Sequence, residues 1–339
     1  MDKRVGTLLT FLEEQKDIVG IDINSDIEQD YGSFSLSGMR VESRGYIYPA
    51  ALGFDLGCGV GVFLLKGFTP EKLEDLRFSK NSIFGIRRKK TDLEMCRGEK
   101  HMADFREIIS NMYYGEIESG NHFLEIQKND RNEFYLVVHS GLQKRVKEYF
   151  ECLFIKYYNK YVEIDLYGDN GYVVKVPSQS EDGKEFFEVC VKANEWAKMN
   201  RNYIAMMIGK KIRCSIECLL DTSHEFLQAC GDIMVHSNGV QMLMNRGDAK
   251  VGIIISGEGN DNYLICGKKG NNYINHGTKL RQQTGEGKRI YGDVEELMRN
   301  KDFSKKIAVI DVLTPILNCK KVGREYEYTV FRKKRSKID

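Results

Sequence analysis

Residues 51–63 read ALGFDLGCGVGVF, an apolar stretch in which four glycines surround one aspartate and one cysteine. We interpret it as a glycine-rich loop leading out of an apolar strand, because glycine lets the backbone turn sharply enough to direct Asp55 and Cys58 inward together. A thiol with a free pKa of about 8.5 loses its proton when it binds a metal, so the pair is typical of a metal site. Two other interpretations stay open: loops of this kind also bind nucleotides, and a lone cysteine often serves as buried packing.

The whole chain has the composition of a globular protein, with 42% hydrophobic and 29% charged residues among 339. It has only 4 prolines, and neither a Ser/Gly-rich linker nor a repeat divides it, so we predict one continuous domain over residues 1–339. The formal net charge of +2 is close to zero. Any affinity for nucleic acid therefore depends on local basic patches.

The N-terminal residues 1–19 place acidic side chains inside their apolar stretch, which a secretory signal does not do. No apolar run approaches the roughly 20 residues that span a bilayer. The 9 cysteines are odd in number and dispersed along the chain, which favours reduced thiols over a secreted disulfide framework. We expect a soluble, cytoplasmic protein without membrane contact.

Helical spacing of apolar residues from Glu185 to Ile212 predicts a long central helix. Segments such as NEFYLVVHS, residues 132–140, and AKVGIIISG, residues 249–257, are strand-like runs that end at a polar residue or a glycine. The mixture predicts an α+β fold with a substantial mixed sheet.

Four of the 6 histidines, His122, His139, His224 and His276, fall at predicted strand ends or glycine turns. A single histidine at such a place is more often a surface or hydrogen-bonded core residue. Their clustering favours a metal site, because imidazole is a common metal ligand.

The motifs GFDLGCGV (residues 53–60), GNHFLEI (120–126), HSG (139–141) and HG (276–277) resemble, in order and spacing, those of the RNA-splicing ligase RtcB family. The match continues in the segments ANEWAKMNR (193–201), HSNG (236–239) and CKK (319–321). The resemblance covers the chain from about Ala51 to Gly323, and the chain resembles a divergent, short member of the family.

The resemblance implies a single RtcB-like domain whose mixed β-sheet core surrounds a dinuclear manganese site. Cys58 would bridge two Mn²⁺ ions, with Asp55 and His122 completing one ion and His139 and His224 the other. The ligand types alone also suit zinc, iron or cobalt.

The resemblance further implies a GTP- and manganese-dependent RNA ligase of tRNA splicing or RNA repair. His276 would be the nucleophile that takes GMP from GTP, and Asn121, Glu125 and Lys321 would hold the nucleotide or its phosphates. The substrate would be RNA with a 3′-phosphate or 2′,3′-cyclic phosphate end and a 5′-hydroxyl end. The sequence does not identify any protein partners.

The chain departs from the family pattern around the nucleotide. Gln143 and Leu280 stand where the family has arginines, Glu258 stands in a Gly-Ser-Met-Gly turn, and Glu225 replaces an asparagine. Two alternatives therefore stay open: a metal-dependent cyclic phosphodiesterase or phosphatase without ligation, and a non-catalytic RNA-binding relative.

Overall fold

The computed structural model describes residues 3–29, 36–53, 55–75, 89–91, 103–117, 122–129, 131–142, 144–165, 172–247, 249–254, 262–267, 273–275, 303–322 and 325–329. The helices in these ranges are α1 (Lys3–Glu14), α2 (Ala103–Ser110), α3 (Lys144–Tyr161) and α4 (Glu181–Lys211), with 3-10 helices at Pro49–Ala51 and Pro70–Asp75.

The strands in the same ranges are β1 (Ile18–Gln29), β2 (Leu36–Arg44), β3 (Tyr46–Ile47), β4 (Gly59–Lys66), β5 (Lys89–Lys90), β6 (Tyr113–Tyr114), β7 (Phe123–Asn129), β8 (Phe134–Ser140), β9 (Val162–Asp165), β10 (Tyr172–Val174), β11 (Val176–Pro177), β12 (Ser215–Ser223), β13 (Glu225–Cys230), β14 (Ile233–Asn238), β15 (Val240–Met242), β16 (Met244–Arg246), β17 (Ala249–Ile254), β18 (Asn262–Gly267), β19 (Tyr273–Asn275), β20 (Phe303–Val322) and β21 (Glu325–Thr329).

The largest sheet has nine strands in the order β12-β4-β8-β7-β20-β18-β17-β16, with β21 added to β20. A second sheet has the order β1-β2-β14-β13, and the pairs β9/β10, β3/β11, β15/β19 and β5/β6 stand apart. The predicted combination of helices with substantial sheet is confirmed. The sheet differs from the expected mixed type, because every strand pairing that the described residues form is antiparallel. Neighbours such as β7 and β8 are joined by short connections, whereas a parallel pair needs a crossover of a dozen or more residues.

Helix α4 confirms the predicted central helix and begins a few residues earlier than the sequence pattern indicates. The hydroxyl of Ser180 accepts a hydrogen bond from the Gly183 N–H at 3.0 Å and thereby caps the first turn. Acidic residues follow in the first turn and two lysines occupy the last, so the charges at both ends complement the helix dipole.

The two halves of α4 pack on different partners. Its N-terminal half buries Val189, Ala193 and Trp196 in a core shared with α2 and α3. Its C-terminal half buries Ile204 and Ile208 against one face of strands β4, β7 and β8. The helix therefore fixes the position of the nine-stranded sheet relative to the smaller helices.

The glycine-rich loop lies at the opposite end of its strand from the one predicted. The segment around Asp55 and Cys58 follows the 3-10 helix Pro49–Ala51 and leads into β4, instead of leading out of a strand. The apolar run that suggested a preceding strand is short and begins with Pro49, which suits the first turn of a helix. Strands β8 and β17 occur where the sequence predicts them.

Among the described residues, no helix is both long and apolar enough to cross a membrane. The six cysteines whose side chains are described are unpaired, as predicted: Cys58, Cys152, Cys190, Cys214, Cys218 and Cys230.

His236 is a core residue. Its Nε2 accepts a hydrogen bond from the Tyr48 N–H at 3.0 Å, and its Nδ1 lies 3.2 Å from the carbonyl oxygen of Val41. The side chain is completely buried, and burial lowers the pKa of His236 to about 4. A neutral imidazole therefore joins β14 to Tyr48, which precedes the 3-10 helix Pro49–Ala51.

This burial predicts a pH-dependent stability. An unfolded histidine takes up a proton near pH 6.5, whereas the folded one resists protonation to about pH 4. The stabilisation is complete above the unfolded pKa and is lost as the pH falls through this window, at a cost of about 3 kcal/mol. Urea unfolding at pH 7 and pH 4.5 measures it, and His236→Asn should show a smaller fall in free energy. An equal fall in both proteins would exclude His236 as the cause.

Candidate metal centre

Five side chains predicted to bind metal meet at one edge of the nine-stranded sheet. Asp55 and Cys58 precede β4, His122 precedes β7, His139 lies near the end of β8, and His224 forms a bend between β12 and β13. Strands β12, β4, β8 and β7 are consecutive neighbours and run antiparallel. This order places side by side, at the same edge of the sheet, the end of β12, the start of β4, the end of β8 and the start of β7.

The distances centre on the cysteine. Cys58 Sγ lies 3.4 Å from His122 Nε2 and 3.4 Å from His139 Nε2. His122 Nε2 in turn lies 3.1 Å from Asp55 Oδ2, and the rings of His139 and His224 are 5.3 Å apart. Two donors that each sit about 2.0–2.3 Å from one tetrahedral ion are roughly 3.5 Å apart, so the thiol and both imidazoles have the separation that a shared metal requires.

Two overlapping groups of donor atoms lie close enough together to hold a metal ion. Cys58, His122 and His139 form one, and Cys58, His224 and Glu225 form the other, with the atoms of each group within 4.8 Å of one another. The sulfur belongs to both. The chemistry of the donors, a thiolate with imidazoles and carboxylates, fits a divalent transition metal.

The cluster is closed to solvent, and this controls its protonation. Cys58 is 2% exposed and His139 is 0% exposed. Burial raises the pKa of the Cys58 thiol well above its usual range, and the negative charges of Asp55 and Glu225 raise it further. The thiol is therefore protonated at neutral pH until a cation displaces the proton, which makes metal affinity increase with pH.

Asp55 is fixed by three partners. Its Oδ1 accepts from the Leu142 N–H at 2.8 Å, and its Oδ2 accepts from Lys147 Nζ at 2.9 Å. Burial alone opposes ionisation, but the charges of His122 and Lys147 outweigh it and hold the pKa of Asp55 below its usual range. The carboxylate is thus ionised and correctly placed to act as a ligand.

Gly141 leaves the space that Asp55 occupies. A Cβ at Gly141 would lie 2.2 Å from Asp55 Oδ1. Gly57 has a φ of +86°, and a Cβ there would lie 2.8 Å from Ala197 Cβ on α4. The loop therefore approaches the helix at a distance that only glycine allows.

Arg201 of α4 braces the loops of the cluster. Its Nη1 donates to the carbonyl oxygens of Gly57 at 2.8 Å and Ser140 at 2.9 Å. Its Nε donates to Asp221 Oδ1 at 2.8 Å, and its Nη2 donates to Ser223 Oγ at 3.4 Å. Gly57, Ser140 and Ser223 each immediately adjoin a residue of the cluster, so one buried guanidinium sets the spacing of three chain segments.

Asn200, the preceding residue, performs a similar task. Its Oδ1 accepts from the Gly115 N–H at 2.8 Å and its Nδ2 donates to the Glu116 carbonyl oxygen at 2.7 Å. Asn200 and Arg201, the last two residues of the motif ANEWAKMNR, therefore both hold the backbone of neighbouring segments in place.

No family model matches the chain. Three RNA-splicing ligases of Escherichia coli are similar to it. RtcB2 of strain ATCC 25922 is 23% identical over 216 residues, covering 57% of this chain and 50% of the relative. RtcB1 of the same strain is 25% identical over 250 residues, covering 64% and 59%, and RtcB of strain K12 is 26% identical over 207 residues, covering 52% and 49%. The chain spans about half the length of these relatives.

These three relatives, at low identity, support the resemblance of the chain to the RtcB family. The structure describes only some of the remaining RtcB-like motif residues. Glu125 is buried on β7, where it accepts a hydrogen bond from Gln127 Nε2 at 2.6 Å. Lys321 lies in β20 opposite Tyr326, and its side chain is outside the described part. Asn121 and His276 both lie outside the described residues.

The sequence predicts no role for three residues of the centre: Glu225, Arg201 and Lys147. Glu225 is noticed there only as a departure from the RtcB pattern, although an acidic residue beside a candidate histidine ligand is itself a signal. Arg201 belongs to the quoted helix motif. Lys147 gives no local signal, because its position beside Asp55 depends on how α3 packs.

We expect Cys58→Ala to remove more metal than His122→Ala or His224→Ala, because the sulfur belongs to both donor groups. Metal content of the purified proteins after loading with Mn²⁺, measured by mass spectrometry, tests this. Cys190→Ala is the matched control, since Cys190 is also buried and unpaired but lies in the α4 core. Equal metal content in the wild type and Cys58→Ala would contradict a bridging position.

We expect Arg201→Met to lower the free energy of unfolding by about 3–5 kcal/mol, because it leaves the buried carboxylate of Asp221 without its partner. The double variant Arg201→Met/Asp221→Leu removes both charges and should be more stable than the single one. Urea unfolding of metal-free protein measures the fold alone. A single variant as stable as the wild type would mean that the ion pair does not hold the loops.

Proposed function

We propose that this chain is an RNA ligase that joins an RNA 3′-phosphate or 2′,3′-cyclic phosphate end to a 5′-hydroxyl end, using GTP and two Mn²⁺ ions. The observation that carries the proposal is the buried Cys58 sulfur, placed 3.4 Å from one imidazole on each of two neighbouring strands. The likeness to three RNA-splicing ligases supports RNA as the substrate.

The proposed ligands form two groups that share the Cys58 sulfur. Asp55 and His122 would hold one ion, and His139 and His224 would hold the other. Bound at this edge, two divalent ions neutralise the charge that develops on phosphate oxygens during transfer. The surrounding burial keeps water from the ligands and fixes their orientation.

Lys147 gives the site a positive charge at its more open side. Its side chain is 28% exposed and its ammonium contacts Asp55. The role proposed for this charge is to attract RNA or nucleotide phosphates, which compensates for the arginine that Gln143 replaces. The basic residues that follow it, Lys144 and Arg145, have side chains outside the described part.

Strand β19 ends beside the candidate centre. The N–H of Gly239 donates to the carbonyl oxygen of His224 at 2.8 Å, and the next residue, Val240, pairs with Asn275, the last residue of β19. The role proposed for His276 rests on its place in the RtcB-like motif.

In the proposed reaction an imidazole nitrogen of His276 attacks the α-phosphorus of GTP, a P–N bond forms, and pyrophosphate leaves. An oxygen of the RNA 3′-phosphate then takes the guanylyl group and frees the histidine. The RNA 5′-hydroxyl attacks the activated 3′-phosphate and GMP leaves, so two transfers replace one difficult condensation. Asn121, Glu125 and Lys321 are proposed to hold the nucleotide.

We expect the protein to gain the mass of a guanylyl group when it is incubated with GTP and Mn²⁺, and the adduct to be acid-labile as a phosphoramidate is. Intact-mass measurement detects it. The His276→Ala variant should show no adduct and no joining of RNA with defined ends, whereas His101→Ala serves as the matched control and should retain both.

The same assay separates the alternatives. A cyclic phosphodiesterase opens 2′,3′-cyclic phosphate without an adduct and keeps that activity in His276→Ala. A non-catalytic relative binds RNA and changes neither end. If metal-loaded wild-type protein forms no adduct with any nucleoside triphosphate, the ligase proposal is wrong.

A further inference from the structure

Glu225 occupies a position in the centre that the ligand set proposed above does not use. Its carboxylate lies within 4.8 Å of the donor atoms of both Cys58 and His224. Neighbouring side chains in a regular strand point to opposite faces. Here the bend at His224 between β12 and β13 interrupts the strand, so the imidazole and the carboxylate reach the same sulfur.

The backbone around Glu225 is tied to the cysteine loop. The carbonyl oxygen of Glu225 accepts from the Gly57 N–H at 2.7 Å, and the N–H of His224 donates to the carbonyl oxygen of Cys58 at 2.9 Å. These bonds link the strand junction to Gly57 and to Cys58 itself. The position of the carboxylate is therefore set by the same framework as the thiol.

The carboxylate itself is also held in place. Its Oε2 accepts from the Asp55 N–H at 3.0 Å. A Cβ at Gly53 would lie 2.0 Å from Oε2, so the glycine provides the space for this group. A carboxylate has two oxygens with about four acceptor positions, so it can accept hydrogen bonds and bind a cation at the same time.

We propose that Glu225 is a metal ligand on the His224 side of Cys58. Each ion of the pair then has one carboxylate, Asp55 on one side and Glu225 on the other, and both share the sulfur. The inference rests on the proposed metal pair and not on RNA joining. A second carboxylate adds an oxygen donor that suits Mn²⁺ better than a set of sulfur and nitrogen alone.

The charges agree with this assignment. Cys58 as a thiolate, Asp55 and Glu225 carry three negative charges against the four positive charges of two divalent ions. The three negative charges offset most of the repulsion between two cations held close together, and a small excess of positive charge remains to bind phosphate. A bound cation would also compensate the repulsion between the Glu225 carboxylate and the Cys58 thiolate.

The main competing explanation is that Glu225 only accepts the hydrogen bond from Asp55. Glu225→Gln separates the two roles, because the glutamine oxygen can accept the same bond but carries no charge. Glu185→Gln is the matched control: Glu185 is a buried carboxylate in α4 that contacts Lys156 at 3.1 Å and Tyr157 at 3.2 Å, away from the cluster. Thermal unfolding of metal-free proteins establishes that both variants fold.

The experiment titrates full-length protein with Mn²⁺ and measures stoichiometry and Kd by calorimetry, with metal content by mass spectrometry. In Glu225→Gln the weaker Mn²⁺ site should lose at least ~10-fold in affinity, comparable with losses at established metal sites. Glu185→Gln should bind as the wild type does. Two ions bound with wild-type affinity in Glu225→Gln would overturn the inference, and so would a wild-type protein that binds no Mn²⁺.

A measurement on the wild type covers the case in which the variant fails to fold. Anomalous diffraction from crystals grown with Mn²⁺ should place an ion about 2.2 Å from a Glu225 oxygen, and an ion bound only by Cys58 and histidines on that side would contradict the inference. Failure of the proposed function looks different, since a protein that binds two ions but forms no guanylyl adduct leaves Glu225 as a ligand of a non-ligating enzyme.

Discussion

The buried guanidinium of Arg201 holds together chain segments that are otherwise far apart in sequence. Its hydrogen bonds to the carbonyl oxygens of Gly57 and Ser140 join the loop before β4 to the end of β8, and its ion pair with Asp221 adds β12. A buried charge is costly unless it is paired and its hydrogen-bonding capacity is satisfied. The loops can therefore adopt this arrangement only with α4 seated against the sheet, and the spacing of the thiol and imidazoles follows from it.

The same edge of the sheet concentrates groups that compete for protons. His122 and Lys147 beside Asp55 hold its pKa below the usual range, while burial and the neighbouring carboxylates raise the pKa of the Cys58 thiol. A divalent cation bound at Cys58 would reverse the second effect, because a metal stabilises the thiolate. Metal binding and proton release at this site would therefore be linked in one equilibrium.

The sheet and helix provide a rigid support for this equilibrium. The apolar face of β4, β7 and β8 packs against the C-terminal half of α4, and the opposite face buries Val60, Val62 and Val137. Both faces of these strands are packed, and a one-residue slip of register would move every side chain, the candidate ligands included, to the opposite face. This explains how strand ends, which are usually variable, can carry a precise donor arrangement.

The sequence by itself determined the local elements and indicated most of the candidate donors. Helix α4, strand β8 with His139 near its end, and the cysteine-bearing glycine loop are all readable, because side-chain periodicity and turn chemistry act over a few residues. Tertiary structure alone decided the antiparallel order of the strands, the brace formed by Arg201 and the entry of Glu225 into the cluster. These features depend on contacts between segments as far apart as Gly57 and Arg201, and which distant segments become neighbours is set by packing and charge compensation across the whole fold.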